Sequence, residues 1–170
     1  MRIRTIVAGL AVVTCAAAYA DGAPADPGAG AAAFTRLKTL VGQWEAEARE
    51  GHERLTYELV ANGTALIERE TAANRPEMLT VYHLDGNRLL LTHYCMAGNQ
   101  PRMELRSFDA STGALTFDFV DATNLASPAA GHMHSVAMRL ADANHIVTEW
   151  QFFENGKTKM TETAKYTRVR

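Results

Sequence analysis

From Gln43 to the C-terminus, apolar and polar residues alternate with a period of two, and turn-forming residues break the alternation at intervals of roughly eight to twelve positions. That period belongs to β-strands, whose successive side chains point to opposite faces. Trp44, Ala46 and Ala48 alternate with Glu45, Glu47 and Arg49, so the first strand is expected to bury its tryptophan side. The next two strands meet at Asn62-Gly63, a strong hairpin signal, between LTYELVA and TALIERETA. Asn62-Gly63-Thr64 also matches a glycosylation acceptor, but a tight turn explains it better. Residues 77–84 and 88–95 pair around Asp85-Gly86-Asn87, and residues 102–108 pair with 114–121 around Ser111-Thr112-Gly113. Residues 132–140, 145–153 and 157–168 complete the set, with turns at Asp142-Ala143-Asn144 and Asn155-Gly156.

About ten neighbouring strands cannot leave two raw edges safely, and nearly every link is of hairpin length. The expected fold is therefore an all-β, about ten-stranded antiparallel up-and-down meander barrel, with a two-sheet sandwich as the alternative. The one long irregular link, residues 122–131, is placed to overhang a barrel mouth. A single short helix is expected at residues 31–41, where Phe34, Leu37, Leu40 and Val41 stand at helical spacing and Gly42 supplies a stop.

The N-terminus has a different character. Met1-Arg2-Ile3-Arg4 carries two positive charges, residues 6–18 are apolar but too few to span a bilayer, and Ala18-Tyr19-Ala20 is a small-residue cleavage site. This pattern predicts a signal peptide cleaved near Ala20, hence a secreted or periplasmic protein with no membrane attachment afterwards. A lipoprotein would need Cys15 acylated, and Val12-Val13-Thr14 before it lacks the usual leucine and small residue. Removing the first 20 of 170 residues leaves 150, enough for one domain with a real core. Residues 21–30 (DGAPADPGAG) read as a flexible leader, and residues 31–170 as the barrel domain.

Cleavage would also take two of the 17 basic residues and none of the 19 acidic ones. The acidic surplus then left offers no basic stripe for nucleic acid or anionic lipid. Cys15 departs as well, so Cys95 would have no internal disulfide partner and is expected to be buried or occupied in an oxidising compartment.

A helix leading into Leu40-Val41-Gly42-Gln43-Trp44 and a β-meander resembles the calycins, that is lipocalins, fatty-acid-binding proteins and nitrobindin-like barrels. Gly42-x-Trp44 matches the lipocalin G-x-W signature. Lys165-Tyr166-Thr167-Arg168 is similar to the last lipocalin strand, whose arginine covers that tryptophan. About ten strands instead of eight, and no disulfide, make the chain more similar to exported bacterial lipocalin-like barrels, a family without a settled activity, than to the vertebrate carriers. The resemblance implies a small-ligand barrel. It also keeps haem open, since nitrobindin-like barrels bind haem through a histidine, although no matching motif singles one out here.

Same-face spacing brings together His132 with His134 and His93 with Cys95, which is metal-ligand spacing; Met96, Met103 and Met133 nearby add soft donors for copper or a borderline zinc site. Ordinary packed strand histidines would look the same. Val136, Met138 and Leu140 continue the face of His132 and His134, which directs that pair toward the barrel interior or its mouth. Across a two-residue turn at Asn62-Gly63, Leu59 faces Leu66 and Tyr57 faces Glu68, so Tyr57 and Glu68 enter the interior together with the leucines. A buried carboxylate needs a partner, for which Arg102, Arg139 or Arg168 are candidates; a one-residue bulge would turn Glu68 outward instead. Met78, Phe117, Phe119, Met138, Trp150, Phe152, Met160 and Tyr166 supply core, or the walls of a cavity. The alternation leaves open whether Leu79, Val81 and His83 or Met78, Thr80 and Tyr82 face inward, which decides whether His83 and His93 can touch a ligand.

No G-x-S-x-G, H-E-x-x-H or phosphate-loop pattern occurs, and Cys95 with His93 lacks a third, orienting group, so no catalytic residue and no cofactor is assigned. The leading expectation is an exported lipocalin-like protein holding a small, largely apolar ligand in the barrel interior, with Tyr57, Glu68, His93, Cys95, His134 and Trp150 as binding residues. The alternatives are a metal or haem barrel using His93, Cys95, His132 or His134, and an envelope interaction module docking through residues 95–101.

Overall fold

The structure, a computed structural model, describes residues 28–48 and 51–169. One helix, α1 (Ala29–Lys38), precedes ten strands: β1 (Gly42–Ala48), β2 (Gly51–Val60), β3 (Ala65–Ala72), β4 (Arg75–Asp85), β5 (Arg88–Tyr94), β6 (Gln100–Asp109), β7 (Ala114–Thr123), β8 (His132–Leu140), β9 (His145–Glu154) and β10 (Lys157–Arg168). Every strand pairs antiparallel with its sequence neighbours, and β1 pairs with β10, so the sheet is a closed up-and-down barrel rather than a sandwich. The expected signal peptide and most of the expected leader lie outside the described residues. The end of that leader, Ala29 and Gly30, belongs to α1.

The helix stops at Lys38, before the expected Val41, because the amides of Thr39, Leu40 and Val41 bond to carbonyls three residues back, the tighter pattern common at helix ends. Ala33, Phe34 and Leu37 face the barrel and are buried. At Gly30 the helix backbone meets the β4–β5 turn so closely that a Cβ would lie 2.2 Å from the Asn87 carbonyl oxygen.

Antiparallel order puts the turns after β2, β4, β6 and β8 at the helix end and those after β3, β5, β7 and β9 at the opposite, open end. The β2–β3 turn runs through Ala61, Asn62 and Gly63, all at positive φ, in place of the expected two-residue turn. The register survives: Leu59 faces Leu66 and Tyr57 faces Glu68. Leu66 is buried, whereas Leu59 sits at the rim and is exposed.

The helix end is sealed by Trp44. Its indole N–H donates to the Leu40 carbonyl at 2.8 Å, and the Arg168 guanidinium lies 4.1 Å from its ring centre. Arg168 also donates to the carbonyls of Val41, Thr39 and Ala143. This is the covering arginine that the lipocalin resemblance implies. Inside, Leu66, Tyr82, Leu91, Met103, Phe117 and Met138 fill the middle of the barrel, with Tyr82 and Phe117 edge to face at 6.0 Å between ring centres. On β4 it is Met78, Thr80 and Tyr82 that are buried, which places His83 on the outer face.

Candidate functional site

At the open end the barrel buries an ion network built around Arg75, the first residue of β4. Its side chain is 6% exposed and contacts Glu53, 1% exposed, at 2.5 Å, together with Glu70, and Glu162 at 3.7 Å. Glu53 also accepts from the Tyr166 hydroxyl at 2.9 Å. One guanidinium serves three carboxylates, so it cannot compensate the desolvation of each. Burial accordingly outweighs Arg75 at Glu70 and raises its carboxyl to about 8.

Toward the middle, Tyr57 and Glu68 are both buried, as their register requires. None of the arginines expected beside Glu68 reaches it. Arg102 pairs with Asp121 and Arg168 caps Trp44. Arg139 is exposed. The partner is the Tyr82 hydroxyl, which donates to Glu68 at 2.8 Å, and burial raises the Glu68 carboxyl above the usual range. Tyr57 faces the same carboxylate, but its hydroxyl finds no hydrogen-bond partner of ordinary geometry among the described residues. The phenol O–H supplies the hydrogen bond that a buried carboxyl needs, which is how this one is tolerated without an arginine.

His93 stands beside the ion network. Its Nδ1 lies 3.0 Å from the Thr80 hydroxyl and its ring 4.9 Å from that of Trp150. Nε2 is buried and has no partner among the described residues. Burial, reinforced by Arg75, lowers the imidazole to about 4. Beside it is an internal cavity of about 10 Å³, lined by His93, Met78, Met133, Trp150 and carboxylates of the ion network. That is room for about one water-sized guest.

Above this cavity the mouth opens into a pocket of about 320 Å³ walled by Met78, Cys95, Met96, Met133, Phe152 and Met160, with Arg75 and Glu162 at its edge. Cys95 is buried, as expected of a thiol without a disulfide partner, and burial raises its thiol. The turn that carries it is tied down: the Asn99 side chain donates to the Gly131 carbonyl at 2.8 Å, and Asn124 donates to the Gly98 carbonyl. Thus His93, Cys95 and Trp150 gather at the open end, while Tyr57 and Glu68 sit deeper and line neither space.

His134 lies elsewhere. A bulge between Met133 and Ser135 interrupts the alternation of β8, so Met133, and not the histidines, joins Val136, Met138 and Leu140 in the core. This corrects the expectation that His132 and His134 share their face. Both instead occupy a groove of about 700 Å³ between the 122–131 link and the outer wall. His134 stacks on Phe153 at 3.9 Å and on Phe119 at 5.0 Å, and His132 Nε2 lies 3.0 Å from His134 Nδ1. The other His132 nitrogen donates to the Ala130 carbonyl at 2.8 Å, so the pair anchors the link. Among the described residues no three His, Cys, Asp or Glu side chains converge on one metal position.

Arg75 escapes a reading of the sequence. A charged residue at a hairpin turn reads as solvated, whereas here the register shifts between Glu70 and Ala72 and the side chain is buried among carboxylates of β2, β3 and β10.

No family model and no curated protein sequence matches the chain. Among the solved structures that share its fold are two bacterial proteins. Rv2717c from M. tuberculosis matches with a TM-score of 0.55 at 15% identity, over 81% of this chain and 98% of that one. A DUF3598-family protein of unknown function from Nostoc punctiforme matches with a TM-score of 0.53 at 14% identity, over 78% of this chain and 49% of that one, so the chain spans about half of the Nostoc protein's length. At such identities the likeness concerns the barrel alone, and a calycin-like architecture is compatible with it.

Proposed function

We propose that this protein is an exported carrier or sensor that holds a small, largely apolar ligand at the open end of its barrel. The observation that carries the reading is the asymmetry of the two ends. Trp44, Arg168 and α1 seal one, while the other leads into a pocket of about 320 Å³ with thioether and aromatic walls. A concave apolar site edged by a few fixed polar groups is the usual form of a small-molecule site, and this volume is near the lower end of the common range. Methionine walls adapt to irregular ligands, which suits a carrier. The ligand sits at the mouth and not along the axis, because large side chains fill the middle of the barrel.

The test is titration of the cleaved, exported protein with N-phenyl-1-naphthylamine, an apolar fluorescent probe. One probe per chain is expected, with affinity weakened tenfold or more by Ala97→Trp at the exposed rim and Tm unchanged. Absence of binding, or equal binding by A97W, overturns the reading. Intact mass of the protein recovered outside the cytoplasm should correspond to a start near Asp21.

A further inference from the structure

Four of the chain's seven methionines, Met78, Met96, Met133 and Met160, converge on the open end. Met96 and Met160 are exposed at the rim, while Met78 and Met133 are buried beneath them and line the internal cavity beside His93. The sequence places the four far apart, and the register of β4, β8 and β10 with the β5–β6 turn brings them together. Such a concentration of thioethers leads from solvent to a buried imidazole nitrogen that has no partner among the described residues.

We propose that the internal cavity is a Cu(I) site, with His93 Nε2 and the thioether sulfurs of Met78 and Met133 as ligands and the Trp150 indole beside the ion. The ligand set is soft: thioethers favour Cu(I), and imidazole accommodates it, whereas calcium, magnesium and manganese prefer oxygen. The size fits, since about 10 Å³ admits one atom-sized guest and no organic molecule. The charge fits as well. The cavity lining carries the carboxyl groups of Glu53, Glu70 and Glu162 and no lysine or arginine, so an added monocation enters acidic and not basic surroundings. The Thr80 hydroxyl at Nδ1 fixes the ring, which is the usual role of a partner on the far side of a metal-binding imidazole. The Trp150 ring, 4.9 Å from that of His93, can shield the ion and offer its π face. The site is distinct from the mouth ligand proposed above, although the two spaces share Met78 and Met133.

The experiment is an anaerobic competition between the cleaved, exported protein and a chromophoric Cu(I) chelator under ascorbate, with Trp fluorescence read in parallel. One Cu(I) per chain is expected, together with quenching that Trp150→Phe abolishes. His93→Gln should weaken binding at least 100-fold and the volume-conserving Met133→Leu about tenfold, with Zn(II) failing to compete. Cys95→Ser should bind as the natural protein does, since the thiol belongs to the mouth. Circular dichroism checks each variant's fold, and M133L keeps the test decisive should H93Q fail to fold. No uptake from the chelator, meaning a cavity that takes water only, overturns the site. So does retention by both H93Q and M133L, or loss in C95S, which would move the ion to the rim. Retained naphthylamine binding in H93Q separates failure of this site from failure of the mouth pocket.

Discussion

The guanidinium of Arg168 donates to three main-chain carbonyls belonging to the α1–β1 and β8–β9 connections and covers the face of Trp44. A planar fork with five donors can meet several acceptors and a ring at once, which a lysine ammonium on a flexible stem cannot. Arg168→Lys should therefore leave at least one carbonyl unmet and the indole uncovered, at a cost of about 2 kcal/mol. For a domain of this size that lowers Tm by about 4–8 °C, and the near-ultraviolet circular dichroism from Trp44 should weaken with it. An unchanged Tm in R168K would show that the contacts do not hold the seam. This residue was legible in the sequence because two motif ends, Gly42-x-Trp44 and Lys165-Tyr166-Thr167-Arg168, pointed at each other. Arg75 was not, since its burial depends on which carboxylates β2, β3 and β10 bring around it, and no local pattern records that.

Strands β8 and β10 run over the residues that alternation assigns them, because a run of period two bounded by turn residues leaves little choice of ends. The bulge inside β8 was not legible. It arises where Met133 pairs with Phe152 and Ser135 with Gln151, a two-strand property, and it takes His134 off the face of Val136, Met138 and Leu140, expected to lead to the interior or its mouth, and into an aromatic stack with Phe119 and Phe153. The seating of α1 is likewise a relation between elements. On helix propensity alone Gly30→Ala should stabilise by up to about 1 kcal/mol. Its Cβ, however, would lie 2.2 Å from a backbone carbonyl oxygen of the β4–β5 turn, which no rotamer change can relieve. The expected outcome is destabilisation by about 1–3 kcal/mol as the helix lifts, read as a lower urea midpoint. A gain in stability would mean that α1 does not rest on that turn.

Over the whole molecule, closure into a barrel was legible from the number of short neighbouring strands, but the chemistry inside it was not, because alternation tells which residues share a face and not which of them meet. That interior chemistry sets a pH profile for the metal-free protein. Glu70 holds its proton up to about 8 when folded, against 4.5 as the ordinary value, so its favourable contribution is complete below 4.5 and is lost as pH rises through 8. His93 is held neutral down to about 4, against 6.5 ordinarily, so its contribution is complete above 6.5 and is lost as pH falls toward 4. Between 4.5 and 6.5 the Glu70 and His93 slopes oppose each other, and Glu68, also raised by burial, adds a downward slope of the same sign as Glu70. Above 6.5 the opposing His93 slope is gone, and Glu70, at about 1.4 kcal/mol per pH unit, contributes about 2 kcal/mol of the fall to pH 8. Differential scanning fluorimetry across pH 4–9 should show a decline that steepens above 6.5. Glu70→Gln should lessen the decline by several degrees, since an amide keeps the hydrogen-bonding shape without an ionisable proton. A decline undiminished in E70Q would assign it to other groups and would mean that the three carboxylates around Arg75 do not compete for its charge.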